Sequence, residues 1–171
     1  MKAYIMRKDL TFAVIGILAA VALSSRAEDN QGALAKALPE ASVSLDQGLK
    51  ASESEGKPIS GKYELEDGAL QLSVYTTKGD QFSEVIVDYK TGAIKKAEKI
   101  TDADDLKNAK EQSEAMANAK LSLEKAVADA TKANSGYRAV SVVPTLDGEK
   151  PVASITLLKG EDIKKVTAKL D

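Results

Sequence analysis

The chain has 171 residues, of which 24 are basic and 26 acidic, and it contains no histidine, cysteine or tryptophan. Without histidine or cysteine it has no disulfides, no Ser–His or Cys–His nucleophile pair and none of the commonest zinc ligands. Two phenylalanines and a slightly acidic balance supply neither the stacking aromatics nor the basic face of a nucleic-acid-binding protein. We therefore expect no enzyme, no cofactor and no nucleic-acid partner.

Residues 1–27 have the three-part pattern of a secretory signal peptide. A basic start precedes an apolar stretch over residues 10–23, and the small residues Ser25 and Ala27 occupy the −3 and −1 positions of a cleavage site. About 14 apolar residues are too few for a bilayer span, which takes roughly 20. The pattern predicts a periplasmic or secreted protein without a stable membrane anchor after cleavage, and a retained N-terminal anchor is the alternative. Cleavage removes four basic residues and one acidic residue, which leaves a net charge of −5.

Residues 28–41 form a polar lead-in that Pro39 interrupts, and the first regular elements follow it. Ser44 and Gln47 have the spacing of a capping box, which predicts a helix from there to about residue 55. Apolar residues then alternate with polar ones between glycine turns, a pattern typical of a β-meander. The predicted strands are Ile59–Leu65, Leu70–Thr77, Phe82–Tyr89 and Ala93–Ile100.

The second half of the chain begins with a predicted linking helix over Asp102–Ala119, capped by Thr101 or Asp102. Its apolar face is thin, so we expect it to pack on one side only. Ser122 then begins another capped helix that ends near residue 133. Three further strands are predicted: Tyr137–Val143, Val152–Leu158 and Ile163–Leu170.

The two halves repeat each other. Residues 43–46 match residues 121–124 at an offset of 78, the Asp-Gly turn at 67–68 recurs after 80 residues, and residues 74–79 match 155–160 at an offset of 81. The sequence therefore predicts an α+β protein of two tandem units, residues 42–100 and 121–171, joined by the linking helix over 101–120. Each unit is a helix followed by an antiparallel β-meander, and the second is predicted to be truncated before its fourth strand.

The first unit resembles a PepSY domain. The resemblance is carried by the ELEDG turn, the VYTTKGD hairpin and above all the Asp88-x-x-Thr91-Gly92 turn, and it extends less completely over residues 121–171. It implies an exported, non-catalytic binding protein whose partner is a protein, with a peptidase as the partner that it binds or restrains. It carries over no catalytic residue. The tandem plan also resembles the exported β-lactamase inhibitor fold.

A small-ligand or envelope-stress binding protein is the alternative, with the ligand in a groove between the two sheets of the two units. A hydrolase is a further alternative, because Ser44 and Ser122 have lysines nearby and a Ser-Lys pair can cleave amides without histidine. Both serines are better explained as helix caps. Pull-down of a partner or co-purification of a ligand distinguishes the two binding functions.

Asp102, Asp104 and Asp105 form an acidic cluster that is one candidate for calcium. An EF-hand loop starting at Asp102 needs an oxygen ligand at position 106 and glycine at 107, whereas the chain has Leu106 and Lys107. The sequence therefore favours acids at a helix start and predicts no metal ligands.

The last predicted strand, Ile163–Leu170, has no following strand in the sequence to pair with it. We therefore expect an open sheet edge that accepts a strand from a partner. The predicted partner-binding residues are Ile163, Lys164, Lys165, Val166 and Lys169. Lysines also keep sheet edges from pairing, so a protected edge is the alternative, although they attract an acidic strand as well.

Overall fold

The computed structural model describes residues 31–171, so the predicted signal peptide lies outside the described residues. Residues 31–37 are helical, and a single 3-10 turn follows at Leu38–Glu40, where proline at the second position suits a helix start. The polar lead-in therefore begins with about two turns of helix before Pro39.

The protein belongs to the α+β class, as predicted. Three α-helices follow the lead-in: α1 (Leu45–Ser52), α2 (Ala103–Ala117) and α3 (Leu123–Ala133). The strands are β1 (Lys57–Glu66), β2 (Ala69–Lys78), β3 (Gln81–Val87), β4 (Ile94–Lys99), β5 (Arg138–Asp147), β6 (Lys150–Lys159) and β7 (Asp162–Lys169). Every predicted strand has its counterpart, and all bounds lie within two residues of the prediction except the end of β5, which lies four residues later.

All seven strands form one antiparallel sheet in the order β4-β3-β2-β1-β5-β6-β7. The two meanders join through β1 and β5, which pair at Gly61 with Val142 and at Lys62 with Ser141. The expectation of two sheets with a groove between them is therefore wrong for residues 31–171. The physical reason is that β1 and β5 are each the open edge of their meander. Pairing these two edges gives hydrogen-bond partners to backbone N–H and C=O groups that would otherwise be buried without any.

The helices cover the sheet from both sides. α1 and α3 pack against each other on one face, here called the first face, and α2 crosses the opposite, second face above the junction of β1 and β5. α2 buries Ala109, Ala115 and Met116, in agreement with the thin apolar face that its sequence predicts. One core runs beneath α1 and α3 through both meanders, and its largest fully buried members are Leu45, Leu49, Ile59, Leu72, Val74, Val85, Val87, Leu123, Val127, Ile155, Leu157 and Leu170.

The approach of α1 to the sheet is very close at Gly48. A Cβ atom placed there would lie 2.6 Å from Leu72 Cδ2, well inside ordinary van der Waals contact. Gly61 in β1 has a similar function, because a Cβ there would lie 3.2 Å from Leu49 Cδ2. Small residues at these two positions let the helix lie directly on the sheet.

The polar caps predicted for the helices are present. The Ser44 N–H donates to Gln47 Oε1 at 2.8 Å, and Ser122 Oγ accepts from the Lys125 N–H at 3.2 Å. Asp102, rather than Thr101, caps α2, since its Oδ1 accepts from the backbone N–H groups of residues 104 and 105 at 2.9 and 3.1 Å. The acidic cluster thus begins a helix, where carboxylates also favour the positive end of the helix dipole.

Both halves of the chain tie the start of their helix to the end of their meander in the same way. The N–H groups of Ser42 and Val43 both donate to the Tyr89 carbonyl at 2.9 Å. The N–H groups of residues 120 and 121 both donate to the Leu170 carbonyl, at 2.7 and 3.0 Å. β1 and β5 also share a register shift, beside Ile59 in β1 and beside Val140 in β5.

Two cations, one at the start of each meander, bind backbone carbonyl groups of distant segments. Lys57, at the start of β1, donates to the Met116 carbonyl at 2.8 Å, at the end of α2. Arg138, at the start of β5, donates to the Leu38 carbonyl at 2.9 Å and to the Val43 carbonyl at 3.3 Å. At the end of α2 the Lys57 ammonium meets a carbonyl group of the last helical turn and the negative end of the helix dipole, so this contact is favourable for two reasons.

β5 is longer than predicted because it continues through Pro144 to Asp147. A tight turn closes the β5–β6 hairpin between Asp147 and Lys150, so alternate residues back from Asp147 bond to β6 and Pro144 faces the other side. On that side the pairing with β1 stops at Ser141 and Val142. The missing N–H of proline therefore costs no ladder hydrogen bond.

Candidate binding edge

β7 lies at one edge of the sheet and pairs with β6 alone within the described residues. All five residues predicted to bind a partner are in this strand. The register with β6 runs from Lys159 opposite Asp162 to Val152 opposite Lys169 without a shift. The edge is therefore free of bulges over eight residues, which is long enough to pair with a six-residue strand.

The structure divides the five residues between the two faces of the sheet. Val166 lies opposite Ile155, a fully buried residue of the first face, and Lys164 shares that face by alternation. The Lys164 ammonium donates to Asn134 Oδ1 at 2.6 Å, at the end of α3. Ile163, Lys165 and Lys169 belong to the second face. The predicted residues thus do not form one patch.

The backbone groups at the outer side of β7 can be assigned from one hydrogen bond. The Leu170 N–H donates to the Pro151 carbonyl at 2.9 Å, so even-numbered residues of β7 bond inward to β6. The odd-numbered residues, Ile163, Lys165, Thr167 and Lys169, consequently direct their N–H and C=O groups away from the sheet. Thr167 was not among the predicted residues. Alternation along β7 from the hairpin turn at residues 159–162 would have included it.

Three of the eight residues of β7 are lysines, and only Asp162 at its start is acidic. Lys164, Lys165 and Lys169 are all exposed, and within residues 31–171 no acidic side chain forms a salt bridge with any of them. Lysines at exposed edges raise the cost of pairing with a neutral or basic strand and favour an acidic one. The edge therefore combines unpaired backbone groups with a charge preference.

β4 occupies the opposite edge of the sheet and reaches it through the Asp88–Gly92 turn. Asp88 Oδ1 accepts from the backbone N–H groups of Lys90 and Thr91 at 2.8 Å each, and Oδ2 lies 3.0 Å from Lys95 Nζ. These hydrogen bonds hold the pKa of Asp88 well below its usual value, and the one from the Thr91 N–H has the largest effect. Gly92 has φ = +79°, as the turn prediction requires.

A second feature is a cleft of about 340 Å³ between α2 and the second face, lined in part by Lys62, Tyr75, Asp105 and Gln112. Burial alone lowers the pKa of Lys62, but the hydrogen bond to Glu64 and the nearby Tyr75 outweigh it, so the net pKa is raised. Burial raises the pKa of Tyr75 to about 12. Both groups therefore stay protonated at neutral pH, and neither is poised as a base or nucleophile.

No group of three acidic side chains in the part of the chain that the structure describes is arranged to hold a metal ion. Of residues 31–171, no helix is long and apolar enough to cross a bilayer. The two serines considered as nucleophiles lie at helix starts, where Ser122 acts as a cap. Comparison with protein-family models, curated proteins and solved structures finds no significant match for this chain.

Proposed function

We propose that this protein is an exported, non-catalytic binding protein that captures an extended segment of a partner protein at the edge of β7. The observation that carries the proposal is the row of outward-directed backbone groups at Ile163, Lys165, Thr167 and Lys169. A partner segment that pairs with this row becomes an eighth strand of the sheet, with main-chain hydrogen bonds supplying the affinity. A peptidase is the partner class, on the strength of the resemblance to PepSY domains.

The proposal includes two tandem units of common origin. It is supported by the matched contacts of the two halves: paired N–H donors onto one carbonyl, a register shift in the first strand, and a cation at that strand's start. In the first unit β4 covers the outer edge of β3. The equivalent position beside β7 is the one that we assign to the partner.

Site-specific crosslinking tests the proposal. The 171-residue chain is expressed with a photo-crosslinking amino acid in place of Lys165, and a matched variant has it in place of Lys96 on the opposite edge. We expect a crosslinked protein from the cell envelope at position 165 and none at 96. Mass spectrometry of the adduct shows whether the partner is a peptidase.

Proline substitution provides the control for strand pairing. Thr167→Pro removes an outward N–H without breaking the β6 ladder, because proline is tolerated where the N–H points away from the sheet. Ala97→Pro is the matched change on β4, since the Ile100 N–H donates inward to the Phe82 carbonyl at 2.9 Å and residue 97 therefore faces outward. Loss of the adduct in Thr167→Pro but not in Ala97→Pro supports the proposal, and an adduct unaffected by Thr167→Pro contradicts it.

A small-ligand function is the second candidate, and the cleft beneath α2 is the feature that favours it. Its volume is within the range of small-molecule sites, and polar side chains converge on it. Native mass spectrometry of the purified protein would reveal a bound ligand as added mass. Replacing Gln112 with Trp would fill the cleft, and a ligand that remains bound in that variant is held elsewhere.

A further inference from the structure

The chemistry of the strand that fits beside β7 can be inferred from a difference between the two halves. Val85 and Val87 of β3 are 0% and 1% exposed, and β4 lies on the outer side of that strand. Their equivalents in β7 at the offset of 81, Val166 and Ala168, are only half-buried. Both pairs of residues belong to the first face, and the helices above them lie in corresponding positions.

The covering strand explains that difference. Ala97 of β4 lies opposite Val85, and Ile94 lies opposite Val87, so β4 places one exposed and one half-buried apolar residue beside these valines. Nothing in residues 31–171 supplies such side chains to Val166 and Ala168. A strand that docks on β7 gains most if it presents apolar residues on this face, because each removes apolar surface from water.

The second face of the same edge calls for the opposite chemistry. Lys165 and Lys169 lie there on either side of Thr167. On β6 the residues opposite these three are Thr156, Val152 and Ser154, so none of the facing residues carries a carboxylate. In the first half the position equivalent to Lys165 is Glu84, which lies opposite Glu98. A glutamate or aspartate opposite Lys165 forms a favourable cross-strand pair, whereas a lysine there is repelled.

We infer that the β7 edge selects an extended segment in which apolar and acidic residues alternate. This inference rests on the proposed function and names its partner chemistry. The apolar residues lie next to Val166 and Ala168, and the acidic ones lie next to Lys165 and Lys169. Three consecutive apolar–acidic pairs match the length of the edge, since β4 covers β3 with six residues.

Three fluorescent peptides of equal length test the inference by anisotropy. The first repeats Val-Glu four times, the second repeats Val-Lys four times, and the third has the composition of the first in the order Val-Val-Glu-Glu. In low salt, about 50 mM, we expect the Val-Glu peptide to bind at least about tenfold more tightly than either of the others. The preference over the lysine peptide should shrink as salt is added, because the ammonium groups are exposed.

A charge-reversed protein makes the test specific. The double variant Lys165→Glu with Lys169→Glu should prefer the Val-Lys peptide, and both positions are exposed enough for the fold to tolerate the change. Thr167→Pro should abolish binding of the preferred peptide. Equal binding of the acidic and basic peptides, or of the ordered and reordered ones, overturns the inference, as does an unchanged preference in the double variant.

The outcomes separate this inference from the proposed function. If all three peptides bind alike and Thr167→Pro releases all of them, the edge captures strands without the inferred selectivity, and only the inference fails. If no peptide binds and position 165 gives no partner adduct, both fail. If the protein is instead a dimer that Thr167→Pro dissociates, a second copy occupies the edge and the inferred partner chemistry is wrong.

Discussion

Replacing Ile155 or Val74 with alanine should destabilise the protein by related amounts. Both side chains are 0% exposed, and they occupy matching places, opposite Val166 and Val85 in the neighbouring strands. At about 0.8 kcal/mol per buried methylene, Val74→Ala loses about 1.6 kcal/mol and Ile155→Ala about 2.4 kcal/mol. The cavity that remains adds to each value, to about 3 kcal/mol for the isoleucine.

Urea denaturation followed by circular dichroism measures these losses. With a slope near 2 kcal/mol per molar urea, the midpoint should fall by at least about 0.8 M for Val74→Ala and by about 1.5 M for Ile155→Ala once the cavity contribution is included. Each variant should show one transition, because a single core connects the two halves. The control is Ser154→Ala, an exposed neighbour of Ile155 on the second face, which should change stability by less than about 0.5 kcal/mol.

Two results would refute this reasoning. If Ile155→Ala moves the midpoint no further than Ser154→Ala does, the side chain faces solvent and the register of β6 is off by one residue. If either core variant produces two separate transitions, the halves unfold independently, and the junction of β1 and β5 does not unite them into one cooperative core.

Three further predictions concern individual contacts, and a fourth concerns cleavage of the predicted signal peptide. Gly48→Ala should cost about 1–3 kcal/mol in a urea titration, because the new methyl group overlaps the leucine of β2 beneath it; a neutral result would mean that the helix shifts freely. Arg138→Met removes the hydrogen bonds to the carbonyl groups of Leu38 and Val43, so limited proteolysis should cut residues 31–43 several times faster than in the parent, while Lys57→Met should leave that segment protected. The pKa of Asp88 is lower in the folded than in the unfolded state, so the carboxylate stabilises the fold fully above its unfolded pKa, near 3.8. This stabilisation is lost progressively as the pH falls below that value. The difference in free energy of unfolding between the parent and Asp88→Asn, measured by denaturation at pH 7 and pH 3, should therefore be smaller at pH 3. The exported protein should begin at Glu28, and an intact mass that still includes residues 1–27 would contradict cleavage after Ala27.

Local sequence patterns predicted the secondary structure and the core faces closely. Alternation assigned Val74 and Ile155 to the buried side of their strands, and both are fully buried. Capping side chains indicated where α2 and α3 begin, because a serine or aspartate accepts hydrogen bonds from backbone N–H groups only two or three residues away. The glycine at position 92 indicated a turn with positive φ because few other residues adopt that conformation at low cost.

The same patterns could not determine how the two meanders combine. Period-2 alternation says which face of a strand is buried, but it is silent about which strand pairs with a free edge. The pairing of β1 with β5 rests on Gly61, Val142 and their immediate neighbours, residues some 80 positions apart, and no local signal connects them. For that reason the prediction of a groove between two sheets was wrong.

The helices and strands, their caps and turns, and the inward face of each strand follow from local sequence, because these features depend on residues within a few positions of one another. Three features are visible only in the folded chain: the seven strands form one sheet, α2 lies on the face opposite α1 and α3, and Arg138 binds the Leu38 carbonyl of the lead-in. Those choices depend on burial and hydrogen bonding between distant segments. Their free energy is shared among many weak contacts, and no single motif records it.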